Sequence, residues 1–492
     1  MEFHFTTASP VDIECDVLVI GKFSDERLGT LARKVDRSLS RQLSRVLEEG
    51  GVRGRLGETE LLTTMSLISP RRVLLVGMGE KKGAGPDVAR KAAIVAVKKV
   101  RSFARRVAFA LDLEQEPDVY EALMEGVLLG DYSFDKYKTS NDKRPGKGLG
   151  RVDVVVGRLP TPEVEEEVVS TALTMAEATN FTRDLVNEPP VSLTPTALAE
   201  VAEELASECG LAVTVHDRDD MLREGMGGIL AVNKGSSEPP KFIHLTYEPE
   251  RRTRRSVAVV GKGITFDSGG LSLKPADSMR TMKMDMAGAG AVLGVMKAVA
   301  RLKPSCRVHG LIPSTENMTG GAAYKVDDVI RILGGKTVEV VNTDAEGRIV
   351  LADALSYALR LKVDEIVDLA TLTGACIVAL GNYTAGLMGN DRTLLRRLAR
   401  AAARAGEKVW ELPLDEELRR QLDSDVADLK NVGSRWGGAI TAALFLREFV
   451  AGTAWAHIDI AGPAFLEKGG DFYPKGATGF GVRTVTRYLL ER

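Results

Sequence analysis

Cysteine is scarce, with Cys15, Cys209, Cys306 and Cys376 the only four in 492 residues. They lie far apart and form no CxxC pair, which argues against a disulfide framework or a thiolate zinc site and fits free thiols in a reducing compartment. Histidine is scarce too. His4, His216, His244, His309 and His457 form no HExxH or other paired spacing, so a metal site here would be built from oxygen ligands and perhaps an amine. His457, inside WAHIDI, reads as a satisfied core histidine. Aromatics make up only 5%, so the cores must rely on Val, Leu, Ile and Ala. An excess of one charge is also missing: 66 basic against 68 acidic residues leave a net charge of -2. That is no phosphate-neutralising surface, and nucleic acid is not an expected partner. The basic run Arg251, Arg252, Arg254, Arg255 precedes an apolar strand and reads as a solvated loop. No apolar run approaches the roughly 20 residues that span a bilayer, and the first fifteen residues carry no basic-then-apolar leader. No membrane partner and a cytoplasmic location are expected. No GxSxG elbow is present, and no cysteine has a nearby histidine that would suggest a nucleophile.

What remains is an ordinary globular composition, 44% hydrophobic and 27% charged, on a chain long enough for two to four domains. Segments 16–21, 72–77, 106–111 and 152–157 are Val- and Leu-rich runs without strict alternation. Strands buried on both faces look like this. Helical patterns near 87–103 and 118–130 fill the gaps. A charged helical stretch over 162–187 ends at Glu188-Pro189-Pro190, a strong stop. Beyond it, strands are expected at 256–261, 308–313, 338–342, 365–370 and 455–460, and helices at 287–302, 347–361, 392–406 and 438–451. The fold class is α/β with two domains: a smaller N-terminal domain (1–160), a connecting helix (161–190), and a larger catalytic domain with a central mixed sheet (191–492). Gly77-Met78-Gly79 with Gly83 imitates a dinucleotide fingerprint. The third glycine comes one residue late, and Lys98 and Lys99 stand where the acidic partner belongs, so a plain tight turn is expected.

Charged groups interrupt the second domain where apolar residues would be ordinary. Strand 256–261 runs into KGITFDSGG, placing Lys262 and Asp267 at a strand end, where ligands bind in open α/β sheets. Lys274 follows. Asp285 opens the small-residue helix MAGAGAVLGVMKAV, where a plain N-cap is the competing reading. In NTDAEGR, Asp344 and Glu346 would point to one side if that segment is extended. Such a pair needs positive charge, from Lys262, Lys274 and Arg348 or from divalent metals such as Zn²⁺, Mn²⁺ or Mg²⁺. On physics alone an ion-pair network and a metal site stand level.

These segments closely resemble the leucyl aminopeptidase family, the cytosolic or M17 aminopeptidases. NTDAEGRIVLADAL (342–355) matches its signature. VGKGITFDSGG (260–270), MKMDMAGAGAV (282–292), RDLVNEPP (183–190), GGAITAALFL (437–446), AHIDIAGPAF (456–465) and KGATGFGVR (475–483) extend the match through the C-terminal domain. The N-terminal domain resembles the family only loosely.

The resemblance implies an aminopeptidase that removes the N-terminal residue, preferably Leu or another apolar one, from peptide substrates. It makes Asp267 and Glu346 bridging ligands of two divalent ions, Mn²⁺ or Zn²⁺. Asp344 would complete the exchangeable site; Lys262, as a neutral amine, and Asp285 would complete the tighter one. A metal-bridged water would attack the scissile carbonyl, Lys274 would stabilise the oxyanion, and Arg348 would position bicarbonate as general base. Met282, Thr371 and Gly374 match positions lining the pocket for the first side chain. A homohexamer, a dimer of trimers, is implied. Three other readings compete: a narrower dipeptidase acting on substrates such as cysteinylglycine, a binding protein with an idle site, and a separate nucleotide site in the N-terminal domain.

Overall fold

The structure is a computed structural model and describes residues 1–139, 148–251, 253 and 255–491. Arg252 and Arg254 of the basic run lie outside the described residues. The chain divides into two compact units, Met1–Glu177 with Gly470–Tyr473, and Ala178–Gly469 with Pro474–Arg492. The helix Pro162–Asn187 matches the charged stretch expected at 162–187.

The first unit holds a six-stranded sheet in the order Glu2–Thr6, Arg151–Val155, Arg106–Ala110, Val17–Lys22, Arg72–Gly77, Thr59–Thr63. All neighbours are parallel except the antiparallel edge Thr59–Thr63. Alternate residues of one strand enter two different cores. Val17 and Val19 pack with Leu74 and Phe109, while Leu18 and Ile20 pack with Val73 and Leu75. Burial on both faces is why these runs lack alternation. Helices Pro86–Val100 and Pro117–Asp131 each begin on a proline, whose fixed φ and missing N–H suit a first turn. The glycine-rich decoy is a turn: a side chain on Gly77 would lie 1.9 Å from the Arg55 carbonyl, and Gly79 has φ +76°.

The second unit is built on a nine-stranded mixed sheet. Its order is Lys408–Glu411, Thr384–Gly389, Ala454–Asp459, Glu365–Ala370, Ser256–Gly261, Arg307–Asn317, Lys241–Tyr247, Ala212–His216, with Gly263–Asp267 pairing to the far half of Arg307–Asn317. Ala454–Asp459, Glu365–Ala370, Ser256–Gly261, Arg307–Asn317 and Gly263–Asp267 all run parallel, so their carboxyl ends share one edge. Again the sheet is buried on both faces, with Val257 and Val259 in one core and Ala258 and Val260 in the other. The segment expected as a strand at 338–342 is shorter, Thr337–Glu339. It lies in a small three-stranded sheet apart from the central one, because the chain turns at Val341 to begin the next helix. Among the described residues no helix is long and apolar enough to cross a membrane.

Candidate active site

The parallel strand ends deliver the charged side chains to one place. Lys262 follows Ser256–Gly261, with its own N–H bonded to the Leu369 carbonyl (3.1 Å) of the neighbouring strand end. Its stem runs over Gly347, where a β-carbon would come within 2.5 Å of Lys262 Cε. Lys262 Nζ lies 2.8 Å from Asp285 Oδ1, 2.9 Å from Glu346 Oε1 and 3.2 Å from the Thr371 carbonyl. Asp267 ends its strand, and Gly269 (φ +87°) and Gly270 (φ +63°) then turn the chain back. Asp267 Oδ1 accepts from Gly269 N–H and from Asn317 Nδ2, both at 2.8 Å. Its Oδ2 faces Lys274 Nζ at 2.9 Å, and Lys274 also contacts Asp344 Oδ1. One oxygen from each of Asp267, Asp344 and Glu346 lies within 4.8 Å of the other two.

One competing reading is excluded and one local expectation is overturned. Asp285 does not cap a helix: it sits in the 3₁₀ turn Met282–Met286, and Met286 precedes the helix Ala287–Leu302. Its carboxylate turns instead to Lys262 and to Thr371 Oγ1 (2.7 Å). Asp344 and Glu346 do not alternate along an extended segment either. Asp344 lies in a turn and Glu346 is the first residue of the helix Glu346–Arg360, so it is the turn that brings their carboxylates together.

Burial pushes the Glu346, Asp285 and Asp344 carboxyls above their ordinary range, with the lysines opposing. Burial pulls the Lys262 and Lys274 ammonium groups down, but the carboxylates around them outweigh it, and both end well above the usual lysine range. The ion-pair network is therefore present, with Lys262 and Lys274 as its cations. Among the described residues Arg348 makes no ion pair or hydrogen bond with it. Its Nη1 donates to the Asn431 carbonyl (2.8 Å), and its Nε is buried without a hydrogen bond among the described residues. Burial draws Arg348 down to about 10 against the pull of Glu346 and Asp459.

The donor set also suits divalent cations. Among the described residues, Asp285 Oδ2 and Asp344 Oδ1 are buried without a hydrogen bond of good geometry, and each meets only a lysine ammonium. Several hard oxygens with too few proton donors are what such ions require. Of the expected pocket residues, Met282 shares the turn with Asp285 and Thr371 binds it. Gly374 opens the exposed start of the helix Gly374–Leu380.

Sequence reading missed several supports. Asn317 ends the longest strand and reaches into the carboxylates. Thr343 Oγ1 donates to the Gly269 carbonyl (2.7 Å) and accepts from Ser272 N–H (2.7 Å), and Tyr324 holds the Thr343 carbonyl (2.7 Å). Asn431 bonds the backbone of Val341 (2.8 Å) and Asn342 (2.6 Å), anchoring the turn that carries Asp344. Asp459 accepts from Thr373 Oγ1 (2.7 Å) and Leu372 N–H (3.3 Å), fixing the loop after Thr371. His457 is only half satisfied: Nδ1 meets Asp368 at 2.5 Å, while Nε2 is buried without a partner among the described residues.

A buried carboxylate–lysine cluster at the carboxyl edge of a two-domain α/β chain defines the class, an enzyme with an oxygen-rich site fit for hard cations. Residues 180–486 match the family model described as the cytosol aminopeptidase family, catalytic domain, and residues 19–141 match that family's N-terminal domain. A probable cytosol aminopeptidase of Geotalea uraniireducens (strain Rf4) is 45% identical, covering 99% of each chain. One from Aquifex aeolicus (strain VF5) is 47% identical over 94% of this chain and 93% of its own. Among solved structures, a mutant of tomato leucine aminopeptidase superposes with a TM-score of 0.91 at 34% identity, covering 100% of this chain and 97% of its own. The bottromycin maturation enzyme BotP in complex with Mn gives 0.84 at 39% identity, covering 96% and 99%. The chain belongs to the cytosol aminopeptidase family, and is accordingly a peptidase, a hydrolase.

Proposed function

We propose that this peptidase removes one residue at a time from the free N-terminus of peptides, with preference for leucine or another apolar residue, using two divalent cations. The observation that carries the reading is the convergence of Asp267, Asp344 and Glu346 within 4.8 Å, beside a fourth carboxylate on Lys262. In this reading Asp267 and Glu346 would help hold both ions, Asp344 would complete the exchangeable site, and Lys262 and Asp285 would complete the tighter one. Lys262 would ligate only as a neutral amine, so it would give up the proton that its carboxylates now hold. The Mn in the BotP complex supports manganese, with zinc the alternative. Such ions supply Lewis-acid polarisation of a carbonyl and acidify water.

The protein's own groups do the rest. Lys274 is a fixed ammonium beside Asp267, suited to donate to the scissile carbonyl oxygen as negative charge grows on it. Arg348, held by Asn431 and keeping an unpartnered Nε among the described residues, would bind a small anion such as bicarbonate, a base. Thr371 holds Asp285 and, with Met282 and Gly374, would line the pocket for the first side chain. A homohexamer in the cytoplasm completes the proposal.

The decisive test is dependence on a free amine. The α-amine, with an ordinary pKa of about 7.7–8.0, loses its proton readily near pH 8. Acetylation removes that basicity and adds bulk. Leu-amide should be cleaved and N-acetyl-Leu-amide left intact. Comparable kcat/KM for the two would eliminate the reading.

A further inference from the structure

Asn317 has no part in the roles above, yet it is fully buried at the centre of the carboxylates. Its Nδ2 donates to Asp267 Oδ1 (2.8 Å) and the Thr343 carbonyl (3.0 Å), and lies 3.4 Å from Glu346 Oε2. The amide can be oriented only one way, because turning it over would set its carbonyl against three oxygens. The other end, Oδ1, has no hydrogen bond among the described residues and faces Gly270, where a β-carbon would come within 2.8 Å of it. The backbone around Asn317 is pinned independently, its carbonyl accepting from Ser268 N–H (3.0 Å) and Ser268 Oγ (2.7 Å). The side chain is thus a donor delivered from a rigid strand end to acceptors on two other segments.

We infer that Asn317 is a positioning residue that sorts the carboxylate oxygens of Asp267 and Glu346, occupying one oxygen of Asp267 so that the other is presented to a cation. With Gly269 N–H and Asn317 Nδ2 both on Asp267 Oδ1, that oxygen has two donors, and among the described residues Oδ2 keeps only the Lys274 ammonium. The same amide ties Asp267 to the Thr343 carbonyl and so to the turn bearing Asp344. Loss of the donor would leave Asp267 Oδ1 held by Gly269 N–H alone and its two oxygens less distinct. Partners of this kind, one step behind the ligands, typically change metal affinity by about 10–100-fold.

The inference rests on the metal reading, and its test separates the two. Asn317→Leu keeps similar bulk and removes the donor. The full-length protein, wild type and variant, is stripped of metal and titrated with Mn²⁺ by calorimetry. Visible absorption of the Co²⁺-loaded forms then reports ligand geometry, which a merely structural role would not alter. The expected result is a Mn²⁺ affinity at one or both sites about 10–100-fold weaker, with a changed Co²⁺ band. An affinity within about twofold of wild type and an unchanged band would overturn the inference, since such partners usually count for tenfold or more. If Asn317→Leu does not fold, Asn317→Ser, which is smaller and keeps a shorter hydroxyl donor, is titrated instead; the weakening should still reach about tenfold, and wild-type affinity overturns the inference. Wild-type protein that binds no Mn²⁺ or Co²⁺ at all would overturn the metal reading itself.

Discussion

Buried charge is handled differently in the two units. In the first, Arg90 Nε meets Glu125 Oε2 at 2.8 Å with both side chains almost fully buried. Asp153 takes Arg151 on one oxygen (2.8 Å) and Arg106 on the other (2.9 Å). Glu125 and Asp153 are each met by a guanidinium that matches the carboxylate's shape. In the second unit Asp267, Asp285, Asp344 and Glu346 share two ammonium groups, Lys262 and Lys274. Carboxylates met by guanidinium charge keep a fold together. A cluster left short of positive charge is costly to bury and makes sense only if something else supplies the charge.

The contrast can be broken most severely by removing cations. Exhaustive chelation should abolish peptidase activity, and Mn²⁺, Zn²⁺ or Co²⁺ should restore it. Full-rate cleavage of Leu-amide by demetallated protein would mean that the short-charged cluster needs no ions. The next effect belongs to the balanced unit. Arg90→Met leaves Glu125 buried beside a lost partner, and breaking such a pair typically costs about 3–5 kcal/mol. Urea unfolding should register that loss, while the specific activity of the folded protein stays near wild type. A fall in specific activity matching that of a site variant would erase the distinction between the units.

The smallest effect concerns pH and lies away from the cluster. His244 Nε2 and His309 Nδ1 sit 3.0 Å apart. Burial pulls both down to about 4; the second cause is His309 for His244, and Arg307 for His309. Their folded values lie below the unfolded value near 6.5, so the unfolded chain takes up protons first. The stability they contribute is present above about pH 6.5 and is lost as pH falls through about 4. Denaturant titrations should show a steeper acid loss of stability in wild type than in a His244→Asn/His309→Asn variant. Equal acid slopes in the two would sink it.

Much of the molecule is legible in the sequence, for a physical reason. Strands buried on both faces announce themselves as Val- and Leu-rich runs, and a charged residue directly after such a run stands out, as Lys262 does after SVAVVG. Asp285 and Glu346 stand out as carboxylates just ahead of apolar helices, though the pattern misplaces their local geometry, because a single turn decides where a carboxylate points. Other parts carry weaker signals. Ala212–His216 and Thr59–Thr63 are edge strands, partly exposed and short of Val-rich burial. Gly263–Asp267 is hidden by its leading glycine and the lysine before it. Asn317, Tyr324 and Asn431 are residue types found in any loop or core, and their meaning comes only from partners far along the chain.

The lysine that leaves one strand and touches the carbonyl of Thr371 reaches across 109 residues, and Asp267 meets Asn317 across 50. Closing loops of that length costs entropy that local contacts cannot offset early, so pairings of this kind form slowly. The complete site requires these long-range pairings as well as its local ones. A chain in which those strands have not yet paired lacks the geometry that gathers the carboxylates, so peptide cleavage is expected to appear together with the completed sheet.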